Sequence, residues 1–253
     1  RLDRFLSIAK NRGLLTVPVL FDDLNRAGRE PEVGPQPPPV PGAHNAQWVP
    51  SPGPSRVTDP QRWKELEEYM KSVLNRFRND RRVLYWDLYN TAGNDGLWDR
   101  SLPLLERSFD WAREVNPSQP IAVPAWRELG SPMSARKLER SDLITFQSFD
   151  SAQMVESQIQ LLKRFNRPIV LVDFLMRQRE SRLETILPVC ATYGVGWFSR
   201  GLAQGRTQIW VQDSAFANPQ APDLWQADVL KSDGAAYDRR EIDLIRAFRY
   251  LDR

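Results

Sequence analysis

Two residue types that chemistry often depends on are nearly missing. Cys190 is the single cysteine and His44 the single histidine in 253 residues. One cysteine excludes an intrachain disulfide and leaves the redox compartment undetermined. The two scarcities together exclude zinc sites rich in His and Cys, and any Ser-His-Asp triad that does not use His44. Lysine is scarce too: six of the 35 basic residues, the rest being Arg. Against 32 acidic residues the net charge is only +3. The signs are mixed along the chain with no basic stripe, so no nucleic-acid partner is expected. No strand-like run is followed by GxGxxG or GxxxxGK(S/T), which argues against a dinucleotide or nucleoside-triphosphate site; no cofactor is expected. No apolar run approaches the roughly 18 residues of a membrane span, so membrane insertion is not expected. The chain opens at Arg1 inside a helical pattern, without a basic-then-apolar leader. We therefore expect a processed or truncated N-terminus, and localisation is not readable.

What is present suits an α/β domain. With 41% hydrophobic residues, one domain over residues 1–253 can bury a sizeable core. Residues 2–11 have helical spacing through Leu2, Phe5, Leu6, Ile8 and Ala9, with Gly13 placed as a helix stop. Leu14–Phe21 reads as an apolar strand closed by Asp22-Asp23. Residues 31–54 hold nine of the 20 prolines, with His44 and Trp48; we read them as an ordered strand-to-helix loop rather than a linker. Asp59-Pro60 is an N-cap followed by proline, and Trp63, Leu66, Met70, Val73, Leu74 and Phe77 line one helical face. Then comes VLYWDLYNTAGN at 83–94, an apolar, aromatic strand ending in a turn signal.

Further along, Leu102–Val115 reads as a helix with Leu104, Leu105, Phe109 and Ala112 inward. Pro120–Trp126 and Leu143–Phe149 read as strands. Ser151 caps a helix carrying Val155, Ile159, Leu162 and Phe165. Pro168–Leu175 is a strand, Leu183–Tyr193 a helix with Pro188 as a potential kink, and Gly194–Leu202 the last strand. An Asp-Gly turn in Lys231–Tyr237 precedes a closing helix over Arg239–Leu251 with Ile242, Ile245 and Phe248. Strands thus alternate with helices six times, at the spacing of βα units. The expected fold class is an α/β (β/α)8 TIM barrel, N-terminally truncated, with six of its eight units visible.

Several stretches carry a resemblance: WDLYN at 86–90, PLLERSFDWAREVNPSQPIAV at 103–123, SDLITF at 141–146, RPIVLVDF at 167–174, SDGAAYD at 232–238, and the loop PGAHNAQWVPSPG at 41–53. They resemble retaining glycoside hydrolases of the large (β/α)8 clan, family 5 in particular (cellulase- and mannanase-like). The resemblance implies two carboxyl groups about 5–5.5 Å apart, one acid/base and one nucleophile. The family places its acid/base glutamate after the asparagine that ends the fourth strand; here Asn90 is followed by Thr91, which has no proton to give at neutral pH. The family's nucleophilic glutamate matches Asp173, competent but one methylene shorter. The sugar-stacking Trp after the eighth strand matches Arg200. The His-Asn or His-Tyr after the sixth matches Gln147-Ser148, with Phe149 next.

On this reading Thr91 and Asp173 hold the substituted acid/base and nucleophile positions, and Asn90, Asp23, Trp48, Trp126, Gln147, Phe149 and Arg200 are candidate saccharide contacts. No metal is expected: Asp22-Asp23 reads as a strand-end capping pair. Asp22, Asp23, Asp95, Glu128, Asp150 and Glu180 are the loop carboxylates from which a replacement acid could come. Trp98 joins the loop aromatics, whereas Trp63, Trp86 and Trp111 belong to the core. His44 reads as a loop hydrogen-bonder and Cys190 as a buried small hydrophobe. Three functions follow: a saccharide-binding barrel that has lost catalysis, an active β-glycosidase using Asp173 with an unorthodox acid, or a scaffold for a protein or anionic ligand built on Arg177, Arg200 and Arg206. The implied partner is an oligo- or polysaccharide, and the resemblance implies a secreted or periplasmic setting.

Overall fold

In the computed structural model, which describes residues 1–126, 128–213 and 222–248, six strands alternate with helices. In chain order these are α1 (Leu2–Lys10), β1 (Val19–Asp22), α2 (Pro54–Val57), α3 (Trp63–Arg76), β2 (Trp86–Asn90), α4 (Leu102–Val115), β3 (Ile121–Ala122) and α5 (Pro132–Arg140). There follow β4 (Ile144–Gln147), α6 (Ala152–Leu162), β5 (Ile169–Phe174), α7 (Leu183–Tyr193), β6 (Gly196–Ser199) and α8 (Arg239–Phe248). The chain is mixed α/β. The strands form two three-stranded sheets, ordered β1-β2-β3 and β4-β5-β6. β1 and β3 run parallel to β2, and β6 runs parallel to β5. No closed eight-stranded sheet forms among the described residues.

The chain divides into two compact units, Arg1–Pro31 with Val49–Ile144, and Glu32–Trp48 with Thr145–Arg253. In the first unit β2 is central and buried up to its last residue, the partly covered Asn90: Trp86, Leu88 and Tyr89 are fully enclosed. Leu104, Leu105, Phe109 and Ala112 of α4 and Leu66, Met70 and Leu74 of α3 pack the same core. Each such Leu or Phe contributes about 1.5–3 kcal/mol by leaving water. In the second unit Val155, Ile159 and Leu162 of α6 and Leu183, Ile186, Leu187 and Cys190 of α7 are buried with Leu171 and Phe174 of β5.

Local chemistry explains where elements depart from the sequence reading. The strand expected at Leu14–Phe21 begins at Val19, because Pro18 has no N–H to donate; Thr16 makes one isolated parallel bridge to Val83, and Leu14 and Leu15 are exposed. The strand expected over Pro120–Trp126 is two residues long, and past it the Val123 N–H turns to the Ser141 hydroxyl at 3.0 Å. α7 runs continuously through Pro188. Ser151 stands at the N-cap of α6 without a side-chain capping bond, and Phe165 lies in a separate 3-10 turn. The inward residue of α8 is Glu241, while Ile242, Ile245 and Phe248 are only partly covered; residues 249–251 of that expected helix lie outside the described ones. α5 was not anticipated at all.

Candidate functional site

The parallel register of the first sheet brings Asp22 opposite Asn90, so β1 and β2 deliver their polar residues to one carboxyl edge. That edge is where α/β folds assemble sites. Asn90 donates its amide to Asp22 at 3.2 Å. Thr91 donates its hydroxyl to the other oxygen of Asp22, and the Leu24 N–H also reaches that oxygen, at 2.9 Å. Thr91 holds a left-handed φ of +44°, unusual for a β-branched residue. Asp23 accepts from the Tyr89 hydroxyl at 2.6 Å, the Ser101 hydroxyl at 2.6 Å and the Gly93 N–H at 2.8 Å. The turn closes tightly: at Gly93 (φ +90°) a Cβ would stand 2.9 Å from the Trp98 carbonyl oxygen.

Three carboxyls are thereby buried near one another. Burial pushes Asp22 above the usual carboxylate range, opposed by its bonds from Thr91, Leu24 and Asn90. Burial likewise raises Asp23, against its three donors. Asp87, enclosed within β2, is raised furthest, by burial and then by Asp22, while Lys137 pulls it down. Tyr89 is raised well above the usual phenol value by burial and by Asp23, so it acts as a donor. Lys137 is itself 1% exposed and donates to the Ala92 carbonyl at 3.1 Å. Sequence reasoning missed this residue because its helix went unseen. The signal was there in Ser131-Pro132: Ser131 caps α5 by accepting the Ser134 N–H at 3.2 Å, with proline following.

Lys137 forms one wall of a cleft of 340 Å³, shared with Ala92, Gly93, Trp98, Trp126 and Glu128. Trp98 is 62% exposed at its mouth. The expected saccharide contact Trp126 lies here, in the same unit as Asp23, Asn90 and Thr91.

In the second unit Asp173 lies one residue before the end of β5, and the Ser148 N–H bonds to its carbonyl at 3.0 Å, setting the end of β4, with Gln147, beside it. Arg200 follows β6, anchored by its N–H to the Phe174 carbonyl at 2.7 Å. Its guanidinium stands 3.9 Å from the Asp173 carboxylate, lies over the Phe149 ring at 5.2 Å, and reaches His44 Nε2 at 3.2 Å. His44 Nδ1 faces the Val211 carbonyl at 2.8 Å. A carbonyl only accepts, so Nδ1 carries the proton, and Nε2 accepts from Arg200. His44 is thus the hydrogen-bonding loop residue expected of it.

Arg177 departs from the expectation that its guanidinium serves an anionic ligand or protein partner. It is 3% exposed and pairs in a fork with Glu241 at 2.7 and 2.6 Å. Its remaining N–H groups hold the carbonyls of Trp225, Ala227 and Asp228 at 2.8–3.2 Å. A guanidinium so saturated is a structural clasp and has no capacity left for a ligand. Trp48 lines a different cleft of the second unit, of 300 Å³, with Asn45, Gln47 and Arg206.

No metal-binding cluster of His, Cys, Asp and Glu occurs among the described residues. None of the described helices is long and apolar enough to cross a membrane.

Neither a protein-family model nor a curated protein sequence matches the chain. Solved structures do. The endo-β-1,4-mannanase of Thermotoga petrophila superposes with a TM-score of 0.63 at 15% identity, over 99% of this chain and 60% of that one. The endo-1,4-β-mannanase of Rhizomucor miehei gives 0.57 at 10% identity, over 80% and 67%. A family 10 endo-β-1,4-xylanase of Gloeophyllum trabeum gives 0.52 at 13%, over 83% and 74%. The chain thus spans 60% of the length of the Thermotoga enzyme. At this identity the likeness is one of fold: like these TIM-barrel structures, the chain alternates strands with helices and pairs its strands in parallel.

Proposed function

We propose that this chain is a family 5-like glycoside hydrolase barrel that binds saccharide and has lost hydrolysis. The observation that carries the reading is Thr91. At the acid/base position stands a hydroxyl whose proton is committed to Asp22, and a threonine hydroxyl is no general acid at neutral pH. Asp173, at the nucleophile position, sits beside the Arg200 guanidinium, and its reach is one methylene shorter than glutamate's. A misplacement of about 1 Å costs on the order of 10²-fold in rate. In the first unit the retained Asn90 and the aromatic Trp126, and in the second unit Gln147 and Phe149, each support saccharide contact, the rings by stacking on sugar faces and the amides by bonding hydroxyls.

A second reading has one specific observation in its favour. Burial raises the Asp22 carboxyl, and it lies next to Thr91, where a proton donor is wanted. Calorimetric titration with manno- and cello-oligosaccharides, beside hydrolysis of aryl β-glycosides, separates the two. The expected result is binding with no turnover above buffer in the wild type. Wild-type turnover abolished by Asp173→Ala and by Asp22→Asn would establish the enzyme instead.

A further inference from the structure

The Trp48 cleft of the second unit carries a more specific message. Its walls are fixed from within. The Gln208 amide donates to the carbonyls of Val40 at 2.8 Å and Ala43 at 3.1 Å and accepts the Gly42 N–H at 2.9 Å. The Asn45 N–H bonds to the Thr207 carbonyl at 2.8 Å. A proline-rich loop held fast between Val40 and Asn45 presents its groups without first having to be ordered, which favours binding.

Three groups border that fixed space. Trp48 is 38% exposed despite its apolar ring. Asn45 is 4% exposed, and its Oδ1 is buried with no hydrogen-bond partner among the described residues. A buried acceptor left unmade is rare and asks for a donor. Among the described residues of the lining Arg206 is the charged one, and none of them is a carboxylate. One of its terminal nitrogens donates to the Pro37 carbonyl at 3.2 Å, which steadies a guanidinium that has five N–H donors in all.

Resting on the saccharide reading above, we propose that this cleft takes a carboxylate-bearing pyranose, a uronic acid unit of an acidic saccharide. The C–H face of the sugar lies on Trp48, a hydroxyl donates to Asn45 Oδ1, and the carboxylate meets Arg206. A neutral sugar leaves the arginine idle. A simple inorganic anion leaves the tryptophan and the asparagine idle. The volume of 300 Å³ is at the lower end of small-molecule sites, which begin at about 300 Å³.

The test is calorimetric titration of the full chain with tetragalacturonate and with a glucuronic acid-bearing xylotetraose, against mannotetraose and inorganic phosphate. At low salt at least one acidic oligosaccharide is expected to bind about tenfold more tightly than mannotetraose, as a charge-assisted bond allows. Arg206→Gln removes that advantage and leaves mannotetraose binding unchanged; Trp48→Ala weakens both. Arg206 is exposed, so an unaltered melting temperature verifies the fold of the variant. Equal affinity for acidic and neutral oligosaccharides overturns the inference and leaves the saccharide reading standing. So does tight acidic binding that Arg206→Gln does not change. Phosphate binding as strong as the acidic sugars, insensitive to Trp48→Ala, reduces the cleft to an anion site and also overturns it. Failure of every oligosaccharide to bind overturns both readings.

Discussion

Single residues in this molecule carry unusual electrostatic costs, and Asp228 is the clearest. It is 1% exposed, with a left-handed φ of +61°, and both carboxylate oxygens are buried without a hydrogen-bond partner among the described residues. Burial pushes its pKa up to about 6; Arg177, the Trp210 N–H and Arg200 pull it back only in part, the Trp210 N–H without closing a bond of normal geometry. A carboxyl raised in the folded state binds its proton more tightly there than when unfolded. Stability therefore falls as pH rises from the ordinary value of 3.8 to about 6, and is flat above. At about 1.4 kcal/mol per pH unit, ionisation at pH 8 costs roughly 3 kcal/mol. Asp228→Asn removes the charge but adds an amide that also needs partners, so a net gain of about 1–2 kcal/mol is expected at pH 8. Urea denaturation at pH 4 and pH 8 checks this. Loss of stability at pH 8 in the variant would mean that the ionised carboxylate is favourably held.

Elements were legible where apolar periodicity and punctuation agreed, and illegible where a polar face did the packing. α4 and α7 occupy the ranges their patterns gave, Leu102–Val115 and Leu183–Tyr193. The missed α5 has four charged residues in SPMSARKLER after its capping Ser131, and Lys137 lies among the side chains it buries. α8 likewise turns a glutamate inward to meet Arg177. Hydrophobic spacing has no means of announcing a buried charge. The same blindness applied at the site: Asn90 and Thr91 were visible through the resemblance, but their bonds to Asp22 depend on a β1–β2 register that only the sheet reveals. The α5 case makes a prediction. Lys137 is a buried cation whose field pulls down the Asp87 carboxyl, though less than burial and Asp22 raise it; its loss also leaves the buried Ala92 carbonyl without its donor, a cost of about 1–3 kcal/mol. Lys137→Met should destabilise the fold by that order, and by appreciably less in an Asp87→Asn background. A double-mutant cycle should give a coupling of at least about 1 kcal/mol. Additive effects would reduce Lys137 to a hydrogen-bond donor for the Ala92 carbonyl.

For the chain as a whole, the first thing any assay needs is a measure of how much of it is folded. The lone thiol supplies one. Cys190 is 1% exposed on the inner face of α7, among Leu183, Ile186 and Leu187. Burial pushes its pKa up to about 12, so at pH 8 the thiolate that reacts is all but absent and shielded as well. With one cysteine in 253 residues, labelling cannot be shared among sites or diverted into an intrachain disulfide. A domain stable by about 5 kcal/mol or more exposes its core in fewer than roughly one molecule in 10³. Labelling by a thiol-reactive disulfide reagent at pH 8 should therefore be slower in native buffer than in denaturant by about 10³-fold or more, if opening must be global. The rate should rise in parallel with loss of stability in Lys137→Met only if the two compact units unfold together. Slow labelling in that variant would show that the unit holding Cys190 unfolds on its own. Complete labelling of the wild type within minutes in native buffer would contradict the burial of this residue and the integrity of the α7 core with it.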